Sequence, residues 1–167
     1  KSFKYLVGNK MVLAILFSSL IVSMIAMPVR LQLPIIARRL YVISPGEIGF
    51  LLTLAGIGAV FGTLMISTLK KGNLRFLLFL ISAFGLGFCI LTLSIFPYYS
   101  IGLIVVIFFG AFEQIRMALS NVLTMEYTDK KYRARMMGFF MLNFAFIPFG
   151  ALPIGYGVDK VGAVNTL

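Results

Sequence analysis

Histidine and tryptophan are absent from these 167 residues, cysteine occurs once, and Asp and Glu together number five. Without histidine there is no imidazole to shuttle protons or ligate a metal. The five acids, Glu47, Glu113, Glu126, Asp129 and Asp159, are scattered along the chain. They form no nucleophile–base pair and no metal-ligand cluster, and no glycine-rich phosphate loop is present. Enzyme chemistry, a metal, a cofactor and ATP hydrolysis within the chain are therefore not expected. The one cysteine, Cys89, lies in an apolar run; it can form no intrachain disulfide and is expected to be a small packing residue.

What fills the chain instead is apolar: 60% of residues are hydrophobic and only 12% are charged. A soluble core this apolar would have no surface, so the composition places the chain in the polytopic membrane class. The formal charge of +10 would suggest nucleic acid in a soluble domain. Here Lys and Arg sit in short links between apolar runs, where anionic lipid headgroups are the simpler partner, and no nucleic acid is expected.

The runs predict an all-α polytopic membrane helical bundle of five spans, about 11–36, 47–69, 75–96, 100–125 and 136–158. Pro28 and Pro34 disturb the far end of the first, where Arg30, Gln32, Arg38 and Arg39 either snorkel to headgroups or, for Arg30 and Gln32, serve the membrane interior. Ser44-Pro45-Gly46-Glu47 reads as a capped helix start, with Ser at the cap and Glu three residues on. Gly58 and Gly62 form a small-x-x-x-small pair that lets a second helix approach closely.

Alternate links differ in charge. Lys1, Lys4, Lys10, Lys70, Lys71, Arg75, Lys130, Lys131, Arg133 and Arg135 fall on one side, and Arg30, Arg38, Arg39 and Lys160 on the other. The positive-inside rule then makes residues 1–10, 70–75 and 126–135 cytoplasmic, in a cell inner (plasma) membrane. An odd count of spans in a chain that opens on Lys1 implies that a sixth helix is missing.

The fourth span carries the charges that need explaining. Glu113 and Arg116 at mid-span would together cost roughly 5 to 7 kcal/mol, which the apolar residues of the same helix barely offset. They are tolerable only toward a bundle interior or a wet cavity. Glu113, Arg116, Met117, Ser120 and Thr124 fall near one stripe of the helix, with Gln114 and Asn121 on the next. Two roles stay open: lining a solute cavity or titrating there, together with Gln114 and Asn143, or neutralising each other at i,i+3 as a structural lock.

The basic link Asp129-Lys-Lys-Tyr-Arg133-Ala-Arg135-Met-Met-Gly138 resembles the link before helix eleven in major facilitator superfamily transporters of an efflux branch, the one that includes enterobactin exporters and macrolide efflux proteins. Within that link Ala134 stands where the branch usually has Gly and the Pro often seen before it is absent, while residues Pro148 to Gly162 are similar to the Gly-rich end of helix eleven there. The resemblance implies five helices of a six-helix C-terminal half, helices seven to eleven, with residues 1–167 forming part of that transmembrane domain.

It implies proton-coupled efflux of a small organic solute by alternating access, a missing N-terminal six-helix half as partner, and a mid-membrane transport cavity. Substrate-cavity or coupling candidates are then Glu113, Gln114, Arg116, Asn143, Arg30 and Gln32. The hinge residues Asp129, Arg133 and Arg135 are candidates for a cytoplasmic gate. The link Lys70 to Arg75 is only faintly similar to the superfamily's acidic–basic loop; it has no acid, and no gating salt bridge is expected of it. The competing class is a membrane assembly subunit or scaffold that transports nothing.

Overall fold

A computed structural model describes residues 2–41, 43–69, 72–96 and 98–145, with 148, 149, 152 and 156 beyond these, and omits the side chains of 2–4, 39, 40, 143 and 144. Among the described residues every regular element is a helix and none is a strand. A short α1 (Ser2–Gly8) leads into α2 (Lys10–Tyr41), followed by α3 (Pro45–Ser67), α4 (Asn73–Ile95), α5 (Tyr99–Glu126) and α6 (Arg133–Ala145). Among the described residues four helices are long and apolar enough to cross a membrane, α2 over Lys10–Arg38 and the whole of α3, α4 and α5. The fifth expected span, about 136–158, runs into residues outside those described, and α6 is its described part.

Helix α2 continues unbroken through Pro28 and Pro34. Each proline lacks an N–H, so the carbonyls of Met24 and Arg30, four residues back, lose their usual helical donors. The start of α3 is fixed by the expected capping box: the Ser44 hydroxyl accepts from the Glu47 N–H, and the Glu47 carboxylate accepts from the Ser44 N–H at 2.8 Å. Ser44→Ala should cost about 1 kcal/mol and appear as faster amide exchange in the first turn of α3, with the rest of the helix unchanged.

Helix α5 is the hub. It lies antiparallel to α2, with Tyr41 against Gly102 at one end and Asn9 Nδ2 donating to the Tyr127 carbonyl at the other. It runs parallel to α3, where Gly58 meets Ile107, Gly62 meets Ala111, and Gly110 meets Ala55. These contacts are backbone to backbone, so the small-residue pair does bring the two helices together. Helix α4 covers another side, with Gly85 against the Phe112 ring.

Apolar layers fill the space between. Leu33, Ala37, Leu51 and Val106 pack at one end, Ala26, Val29, Leu86, Cys89 and Phe109 toward the middle, and Ile15, Phe79, Leu119 and Leu123 below them. At the other end Leu6 of α1 and Val12 of α2 meet Met136 and Phe140 of α6. Phe50, Phe61, Phe84 and Phe88 point outward and stay exposed. An apolar exterior around a packed interior suits hydrocarbon rather than water as the solvent.

Candidate functional site

Glu113 sits at the middle of α5, the hub helix, and is only 3% exposed. Its carboxylate does not turn along its own helix to Arg116. Oε2 instead lies 3.2 Å from Nη1 of Arg30 on α2, while Oε1 is buried with no hydrogen-bond partner. The antiparallel register of α2 and α5 is what brings residues this far apart in sequence to the same level.

Arg116, 1% exposed, lies one turn further along α5. It is held across the same interface, Nη1 to the Ser19 hydroxyl at 3.5 Å and Nη2 to the Ser23 hydroxyl at 3.3 Å, and its Nε is unpartnered. The helical lock through i,i+3 is thus replaced by two separate anchors on α2. Ser120 and Thr124 continue the buried polar stripe of α5. Ser120 Oγ has no partner, and Thr124 returns its hydroxyl proton to the Ser120 carbonyl at 2.7 Å.

A cavity of about 190 Å³ opens at the ion pair, lined by Arg30 and Leu33 of α2, Leu52, Ala55, Gly56 and Ala59 of α3, and Phe109, Gly110 and Glu113 of α5. The small residues of α3 and α5 that permit close approach also leave this space. Arg30 stands at its mouth with a side chain 52% exposed, beside the carbonyl that Pro34 leaves undonated. A buried carboxylate oxygen without a donor costs about 1–3 kcal/mol, a cost that water or a polar solute in the cavity would relieve.

Of the cavity candidates read from the sequence, Arg30 and Glu113 line this space and Arg116 lies beneath it. Gln114 and Gln32 are half-buried and do not line it. The Asn143 side chain lies outside the described residues.

At the basic end, Arg75 donates through Nη1 to Glu126 Oε2 at 3.2 Å and through Nη2 to the Leu69 carbonyl at 2.9 Å, tying the α3–α4 link to the end of α5. The link has no acid of its own; its arginine pairs instead with an acid that α5 supplies. A basic residue at the start of one helix and an acid ending another is a signal too weak to pair without the fold. Among the three gate candidates, Arg133 donates from Nε to the Thr128 carbonyl at 3.2 Å, and the Asp129 N–H donates to the Tyr5 hydroxyl at 3.0 Å. Arg135 is exposed. Tyr5 also stacks on Tyr132, centroids 4.2 Å apart, so α1 is docked on the hinge.

A bundle of membrane-length helices with an ion pair between α2 and the middle of its hub helix narrows the choice of family, and residues 11–164 match the family model described as Major Facilitator Superfamily. The chain belongs to that superfamily. No curated protein and no solved structure matches it. Membership makes this major facilitator chain a multi-pass membrane transporter protein. The Arg30–Glu113 cavity therefore lies within transporter helices.

Proposed function

We propose that this chain, residues 1–167, forms part of the C-terminal transmembrane domain of a secondary transporter that moves a small organic solute by alternating access, with protons as the coupling ion. The observation that carries the reading is the Arg30–Glu113 pair, its carboxylate buried at mid-helix and both residues lining a cavity between three apolar helices. A mid-membrane ionisable group facing a cavity is functional by default. The companion is an N-terminal six-helix half that closes the open side of the cavity. A scaffold that only assembles would have no use for a charged pair beside a cavity.

The basic end, residues 1–10, 70–75 and 126–135, faces the cytoplasm of an inner (plasma) membrane by the positive-inside rule, with anionic lipid against it. There the Arg75–Glu126 bridge, with Asp129, Arg133 and Arg135 of the hinge, holds the cytoplasmic side shut. Arg75→Gln should shift the access equilibrium by about 1 kcal/mol, roughly fivefold. In a Cys89→Ala background, a Ser120→Cys reporter should then label several-fold faster from the cytoplasmic side; an unchanged rate would remove the bridge from the gate.

The test of the whole reading is reconstitution of the full-length protein in vesicles with an internal pH dye and a solute panel. Solute-dependent proton movement supports it, and its absence across the panel overturns it. A second reading, export of the solute in exchange for protons, is favoured by the resemblance of the hinge Asp129 to Gly138 to the efflux branch. It requires solute and proton to move in opposite directions in the same assay.

A further inference from the structure

Arg30 and Glu113 are unequal partners. Glu113 is buried and held on the hub helix, whereas Arg30 is half exposed on a long stem at the mouth of the cavity. One of its nitrogens is committed to Glu113 Oε2, and a guanidinium fork carries five donors. The charged groups at and beneath the cavity are two cations, Arg30 and Arg116, against one acid, Glu113.

No other described helix packed on α5 restores the balance. From α3 the lining is Leu52, Ala55, Gly56 and Ala59, and its Glu47 lies in its first turn. From α4 two titratable groups face α5: Cys89, packed with Phe109, and Arg75, which lies at the basic end and is paired there with Glu126. The arginines of α6, Arg133 and Arg135, lie at its hinge end. We infer that the transported solute is an organic oxyanion, a carboxylate or phosphate, held by Arg30 in place of Glu113. This rests on the transport reading above.

The bidentate geometry of guanidinium with an oxyanion favours the exchange, and it makes Glu113 an internal competitor for the same fork. A proton on Glu113 removes the competitor and frees Arg30. By linkage, anion binding must in turn draw a proton onto Glu113. Arg116 keeps its anchors on Ser19 and Ser23 throughout. Anion and proton then occupy the cavity together and cross in the same direction, the opposite of proton exchange.

The experiment uses the full-length protein in detergent and reads melting-temperature shifts with benzoate, lactate and glycerol phosphate against benzamide, lactamide and benzylammonium. Stabilisation is expected from the oxyanions. The half-saturating concentration should fall about tenfold in Glu113→Gln, and rise about tenfold in the Arg30→Gln/Glu113→Gln double variant, which leaves no orphaned carboxylate. In vesicles the stabilising anion should carry protons with it. Stabilisation by the amine or the neutral amides instead, anion effects that survive the double variant, no response to any oxyanion, or protons moving against the anion would each overturn the inference. Proton flux driven by an amine would do so while leaving the transport reading intact; no solute-driven flux of any class would take down both.

Discussion

Gly58→Leu is expected to abolish the cooperative melting transition of the full-length protein in detergent, or to lower it by many degrees. A Cβ at Gly58 would overlap the Ile107 carbonyl oxygen, and one at Gly110 would overlap that of Ala55. Side chains can rotate away from an intruding atom, but here the obstacle is main chain on both sides. Overpacking a well-filled core costs about 1–3 kcal/mol or more, and with no side chain able to yield the upper end applies. Close approach also supports Cα–H···O contacts worth about 0.5–1 kcal/mol each, which separation of the helices would forfeit. Gly49, with nothing within 4 Å of its added Cβ, is the matched control. Gly49→Ala should melt within about 0.5 kcal/mol of the native protein. Equal melting of the Gly58→Leu and native proteins would refute the parallel α3–α5 packing.

Glu113→Gln should leave the protein folded and reduce solute-driven proton movement on the order of 100-fold, the upper range of coupling energies between linked sites. Glutamine keeps the shape of the side chain and an oxygen within reach of Arg30, so the change is confined to charge and titration. The transport rate of this variant should lose its dependence on pH, because the group that exchanged the proton is gone. Melting of the same preparation separates this from misfolding. Full retention of proton-coupled flux in folded Glu113→Gln would assign the carboxylate a structural role only and sink the coupling site.

Hydropathy located the four membrane-length helices found among the described residues, because an apolar run of more than 18 residues has few alternatives in a chain this poor in charge. The Ser44–Glu47 box and the Gly58–Gly62 pair were legible for a local reason: a cap and a close-approach surface are written in residues three or four apart. The partners of Glu113 were not. Within one helix Arg116 is the nearest base, and only the antiparallel seating of α2 on α5 decides that Arg30 reaches the carboxylate while Arg116 turns to two serines. Arg75 escaped for the same reason, its acid lying 51 residues away on α5.

Sequence by itself determined that this is a chain of membrane-crossing helices with costly charge in the middle of one of them, since hydropathy and the price of buried charge are properties of composition and spacing. Which charges meet, and the cavity they border, were decided only by tertiary structure. Those depend on the relative register of helices, which the backbone-to-backbone contacts at Gly58, Gly62 and Gly110 set and no single segment encodes.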